Sequence, residues 1–355
     1  MKKLFILIIA VGLVMPNLVL ADGVIIPPPD RYVYEAEQKA VIYYEDGLET
    51  MVLSIQFYGN AYDFGWIVPT PSYPQVDKSS VELFTSLEEF TEIDYPYEVP
   101  YPMYDNAFGT AERQKVEVLE TKNVDYYEVT ILRASEAGAL AAWLQENNYD
   151  WPEGADYVLE DYIDNNWYFT CFKVNTSAWG YSKVSEELRS GNATPVQFQF
   201  ATEQIVYPLK ISGVMEQYDY IGKQKIYDYY YQPPETVSIL LYVLADHRQT
   251  VPGYQTDYAG WVEKDTIEKF AYVDSQPWLI PQEDKYFLTR LFNVAKVTAL
   301  KDDLIMRQAD DDSLINAEPL QNNSQNGFWV VVIIGLVITA GLVSAIIVLQ
   351  VKKIK

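Results

Sequence analysis

The carboxylates Asp156, Glu160 and Asp164 follow one another at i, i+4 and i+8, which sets all three on one face of a helix, with Glu153 a turn earlier and Asp161 beside them. No lysine or arginine interrupts residues 153–166, so like charges meet along that face at a cost of roughly 0.2–0.5 kcal/mol per i,i+4 pair. Such a row either faces open water, where screening makes it tolerable, or is neutralised by a divalent ion. Calcium suits oxygen ligands, but its ligands normally converge from a loop, so a straight helix face needs a second segment to complete a site. A solvated acidic face and a calcium site both stand at this point.

Other reactive side chains are few. His247 is the single histidine, placed in Asp246-His247-Arg248 after an apolar run, where it is either a surface residue at a strand end or a general base awaiting Asp and Ser partners. Cys171 is the single cysteine. Its apolar neighbours predict a buried thiol of raised pKa rather than a nucleophile, and no internal disulfide can form. The chain has no Gly-x-Ser-x-Gly elbow, no His-Glu-x-x-His and no glycine-rich phosphate loop. Tyrosine is the abundant functional type, at 30 residues. Tyr97, Tyr101 and Tyr104 lie in a stretch broken by three prolines, and Tyr229, Tyr230 and Tyr231 close a second run that includes Tyr218, Tyr220 and Tyr227. These six, Tyr97, Tyr101, Tyr104 and Tyr229 to Tyr231, are the candidate ligand-binding residues, since tyrosine offers a large amphipathic face to a glycan or a protein at small entropic cost.

The elements that must position these groups read as follows. Gln38 to Tyr44 and Leu48 to Phe57 alternate around Glu45-Asp46-Gly47, which predicts a β-hairpin, and Phe64, Trp66 and Val68 predict a third strand of a meander ended by Pro69 and Pro71. Ser79-Ser80-Val81-Glu82 opens a short helix with Phe84, Leu87 and Phe90 on one face. A second hairpin is expected from Val116–Glu120 and Val124–Leu132, then a helix after Ser135 and another from Pro152 to Asn165. Strands are expected at 167–174 and 196–200, and a central one at 237–244 that is apolar throughout; Tyr286–Lys296 reads as strand. Hairpins interspersed with short helices predict an α+β fold, with two subdomains possible on either side of 177–195.

The two ends predict an address. Lys2 and Lys3, the apolar run Leu4 to Leu13 and Val19-Leu20-Ala21 match a secretory leader over residues 1–21. Residues 22–309 would be the folded extracytoplasmic part and 310–327 an acidic, polar stalk. Phe328 to Leu349 carries no charge and as a helix is roughly 33 Å long, enough for a bilayer core. A span over 328–350 with a basic tail at 351–355 predicts a single-pass type I membrane protein, with the membrane as a partner. The formal charge of −24 argues against nucleic acid as a partner.

Gln38 to Ile42, the run Phe64-Gly65-Trp66-Ile67-Val68-Pro69-Thr70-Pro71, Leu83-Phe84 with Leu87, and Trp143-Leu144 followed by Asn148-Tyr149 resemble the exported prokaryotic family known as domain of unknown function 2330. The resemblance covers Asp22 to roughly Asp312. It implies no chemistry and no catalytic residue, and the cysteines that many members carry after the leader are replaced here by Pro27-Pro28-Pro29. The expectation is therefore a membrane-anchored surface or envelope domain for binding or structural interaction, without a cofactor unless calcium binds. The alternative is an exported hydrolase with an acidic site.

Overall fold

The computed structural model describes residues 23–317 apart from 29–31, 60–63, 92–115, 175–187, 189–190, 218–234, 271 and 274–275. In chain order the strands begin with Val24–Ile26 (β1), Val33–Glu45 (β2), Leu48–Gly59 (β3), Gly65–Thr70 (β4) and Gln75–Lys78 (β5), followed by helix Val81–Thr91 (α1). Glu117–Val124 (β6) and Tyr127–Arg133 (β7) precede helices Ala137–Glu146 (α2) and Asp156–Asp164 (α3). Then come Tyr168–Val174 (β8), Val196–Ala201 (β9) and Val206–Tyr207 (β10), a 3-10 helix at Lys210–Gln217, and Thr236–Ala245 (β11). Gln249–Thr250 (β12), Gln255–Glu263 (β13), a short helix Lys264–Ile267 (α4), Tyr272–Val273 (β14), Gln276–Pro277 (β15), Lys285–Lys296 (β16), a 3-10 turn at Val297–Ala299, Leu304–Ile305 (β17) and Arg307–Gln308 (β18) complete it.

Five strands form one sheet in the order β1-β4-β8-β7-β6, and seven form another in the order β13-β16-β11-β2-β3-β9-β5. One face of each sheet contributes to a shared core: Ile25, Trp66, Val68, Ile131 and Phe172 from the first, Ile42, Leu53, Phe198, Ile239 and Leu241 from the second. The rings of Phe172 and Phe198 meet edge to face at 5.8 Å between centroids. On its other face the five-stranded sheet packs Ile67, Leu132, Phe169 and Cys171 against α2 and α3. The seven-stranded sheet packs Val41, Val52, Leu240 and Leu288 against α1 and the chain around Ile267, Phe270 and Trp278.

The hairpin of β2 and β3 forms where the sequence places it. Asp46 and Gly47 have φ of 49° and 79°, the pair of positive values that a two-residue turn demands, and Glu45 pairs with Leu48. The expected meander does not form. β4 leaves β3 and lies between β1 and β8 in the other sheet, because all six of its residues are buried and a strand covered on both faces needs a central place. The partner of β3 on its free side is β9, in antiparallel register from Leu48↔Ala201 to Leu53↔Val196. β11 is central as expected, but its second neighbour is β2, in parallel.

The expected α+β class is corrected: the fold is mostly β-sheet. Capping and periodicity pointed to α1, α2 and α3, yet they missed the 3-10 helix Lys210–Gln217, α4 and the short pairs β10–β17, β12–β18 and β14–β15, of two residues each, and gave no hint that the long strands stack as two layers. The expected membrane protein of type I is also corrected, since no helix among the described residues is long and apolar enough to cross a membrane. The leader at 1–21, the segment 328–350 read as a span and the tail at 351–355 lie outside the described residues. The described residues form one compact unit that ends at Ala317, and strands from both sides of 177–195 share the seven-stranded sheet. The first residues of the expected stalk, 310–317, pack on that unit: Ile315 bridges to Ala259, and the Asn316 side-chain amide donates to the Asp257 carbonyl at 2.8 Å.

Candidate functional site

At the end of the five-stranded sheet where β4 turns into β5, the loop Pro71-Ser72-Tyr73-Pro74 holds Tyr73 with 44% of its surface exposed. Two prolines limit the backbone, and two hydrogen bonds pin it: the Thr70 hydroxyl donates to the Ser72 carbonyl at 3.0 Å, and the Ser72 hydroxyl donates to the Ala201 carbonyl at 2.7 Å. The Tyr73 hydroxyl donates to Glu120 Oε2 on β6 at 2.6 Å. That bond, with partial burial and the negative charge of Glu120, pushes the phenol up to about 12. Tyr73 is thus fixed at both ends.

Tyr168, the first residue of β8, presents its ring to Tyr73 at 5.8 Å between centroids and an interplanar angle of 87°. The Arg133 guanidinium, from the end of β7, lies 5.1 Å from the Tyr168 ring centre and donates to Asn166 Oδ1 at 3.1 Å. Asn166 closes α3 with φ of 59°, a left-handed conformation that asparagine tolerates, so the helix end delivers its amide to this corner. Lys122 pairs with Glu120 at 3.5 Å, and Glu117 lies opposite Arg133 in the β6–β7 register. Among the described residues, two cations and two carboxylates stand at this corner of a strongly acidic chain. Chemically it offers two perpendicular aromatic surfaces rimmed by a carboxylate, a guanidinium and a carboxamide.

The sequence-derived candidates fall elsewhere. Asp156, Glu160 and Asp164 do share one side of α3 and line an open cavity of about 380 Å3 with Ser135, Glu136 and Ile163. Asp156 accepts from the Trp151 indole N–H at 3.2 Å, and Asp161 pairs with Lys210. Among the described residues no group of three or more acidic, histidine or cysteine side chains could hold a metal ion. Tyr97, Tyr101, Tyr104, Tyr229, Tyr230 and Tyr231 lie outside the described residues.

His247 does gain an acid partner. Its Nδ1 lies 2.8 Å from Asp312 Oδ2, and the other oxygen of Asp312 accepts the Arg248 backbone N–H at 2.8 Å. The bond to Asp312 raises the imidazole pKa and lowers that of the carboxyl, against the opposing pull of burial. The neighbouring Ser313 hydroxyl accepts from the Arg248 side chain, and Cys171 is fully buried, its thiol pushed up by burial. A further polar cavity of about 150 Å3 lies beside α1. There the Lys39 ammonium bridges Glu37 at 3.3 Å and Glu88 at 2.9 Å.

The family model described as "Uncharacterized protein conserved in bacteria (DUF2330)" matches residues 17–223, and the chain belongs to that family. No curated protein matches. Among solved structures the chain is similar to the crystal structure of baculovirus P35, at 12% identity and a TM-score of 0.37, over 80% of this chain and 99% of that one. At that score the likeness carries no argument.

Proposed function

We propose that this member of an uncharacterized bacterial family is a recognition domain: a two-sheet scaffold that binds its ligand at the Tyr73–Tyr168 corner without making or breaking bonds in it. The observation that carries the reading is an exposed tyrosine held rigid by its loop and by Glu120, beside a second ring already stacked by Arg133. An exposed aromatic immobilised before binding loses little entropy when a ligand covers it, which is how tyrosine serves recognition surfaces. An exported setting fits the apolar run Leu4–Leu13 ahead of Val19-Leu20-Ala21. The test is retention on arrays of glycans and peptides, comparing the wild-type chain with Tyr73→Ala. The reading expects retention that the variant loses, and a bound compound released with its mass unchanged. Equal retention by the variant would overturn it.

One observation favours the second reading, a hydrolase. Asp312 holds His247 at Nδ1, as a carboxylate orients a catalytic imidazole. That reading expects the retained compound to be released shortened, and the shortening to stop in His247→Ala.

A further inference from the structure

We infer that the Tyr73–Tyr168 corner is a subsite for a neutral glycan built of gluco-configured pyranose rings, with Tyr73 as the stacking platform and Arg133, Glu120 and Asn166 as the hydroxyl-reading rim. This deepens the recognition reading and rests on it. Three observations lead there. First, the Tyr73 ring is exposed and its hydroxyl is committed to Glu120, so what it offers a ligand is its flat face. Tyr168 stands perpendicular to it, and the pair makes a floor and a wall. A pyranose whose hydroxyls are all equatorial shows only axial C–H groups on each ring face, and these seat on the electron-rich face of an aromatic ring.

Second, the rim is made of planar groups with paired donors or acceptors. Arg133 uses one nitrogen on Asn166 Oδ1 and keeps further N–H groups, while Glu120 accepts from Tyr73 through Oε2 and meets Lys122 through Oε1. Each oxygen of a carboxylate has a second lone pair. Vicinal equatorial hydroxyls, each both donor and acceptor, match such pairs, whereas a proline-rich peptide offers carbonyl acceptors alone and could use only the donors.

Third, charge selects against anionic ligands. Among the described residues the corner holds Arg133 and Lys122 beside Glu120 and Glu117, but the chain carries −24. A polyanion would approach an unfavourable field, and a neutral chain would not.

The test is isothermal titration of the full chain with cellohexaose, with hexagalacturonic acid as the anionic counterpart and decaproline as the peptide. Cellohexaose should bind the wild-type protein, with hexagalacturonic acid about tenfold weaker or worse at low ionic strength. Tyr73→Ala should weaken cellohexaose at least about tenfold, Tyr73→Phe by no more than about threefold, and Tyr73→Trp should retain it. Unchanged far-ultraviolet circular dichroism and melting temperature establish that each variant is folded. Decaproline binding that depends on Tyr73, with no cellohexaose binding, overturns the glycan inference and leaves the recognition reading standing. Cellohexaose binding that survives Tyr73→Ala places the glycan elsewhere and overturns both.

Discussion

Glu49, on β3, is fully buried. Its Oε2 accepts the Val206 N–H at 2.9 Å, and its Oε1 has no partner among the described residues. Burial raises its pKa well above the usual carboxyl value, only partly offset by that backbone bond. The folded chain therefore keeps a proton that the unfolded chain releases near pH 4.3. The contribution to stability is complete below that pH and falls as pH rises toward the folded pKa, by up to about 1.4 kcal/mol per pH unit. Glu49→Gln keeps an oxygen acceptor for Val206 and removes the titration. Relative to wild type, the variant should gain stability between pH 5 and pH 8 in urea unfolding; a difference independent of pH would contradict a neutral carboxyl at this position. Tyr73 gives a second residue-scale test. Its phenol is held at about 12 chiefly by Glu120, so Glu120→Gln should bring its titration down toward the ordinary value near 10, as followed by the ultraviolet absorbance difference against Tyr73→Phe. The sequence drew attention to runs of tyrosine, whereas Tyr73 and Tyr168 stand singly, on a loop and on β8. Their meeting depends on which strands pair, and no local spacing encodes that. The local signal was Pro71-Ser72-Tyr73-Pro74, a proline-framed aromatic.

β4 shows both what alternation reveals and where it stops. The run Phe64, Trp66, Val68 placed large apolar groups on one face, and all three are buried, Trp66 at 1% exposure. Trp66 packs on Phe172 of β8 at 5.0 Å between centroids, and its indole N–H approaches Gly23 so closely that a Cβ there would lie 2.7 Å away. Trp66→Ala should lower unfolding stability by about 3–5 kcal/mol, the range for emptying a core site of this size. A loss under about 1 kcal/mol would mean that the ring is not part of the core. Alternation could not say that β4 belongs to the other sheet. That follows from Ile67, which faces α2 and α3, and from Gly65, where any side chain would collide with the Tyr149 ring. Asp156, Glu160 and Asp164 line one side of α3, which helical geometry fixes from spacing alone. Where such a face points depends on its packing, and here the buried side is Val158, Leu159 and Tyr162.

At the scale of the molecule, the parallel pairing of β2 with β11, from Glu37↔Ser238 to Tyr43↔Leu244, binds the early and late parts of the chain into one sheet. Tryptophan fluorescence and far-ultraviolet circular dichroism should report one coincident urea transition. Two separated transitions would restore a division near 177–195. Parallel pairing between distant strands leaves no local trace, which is why composition and hairpin signals suggested looser halves than exist. The same assembly brings the β4–β5 loop, β6, the end of β7, the end of α3 and the start of β8 to one corner. The measurement that tests the central claim most directly is backbone amide shift mapping of the isotopically labelled full chain with cellohexaose. The account predicts that the largest shifts gather at Tyr73, Glu120, Arg133, Asn166 and Tyr168 and vanish in Tyr73→Ala. Shifts centred instead on His247 and Asp312, or unchanged by the substitution, would contradict it.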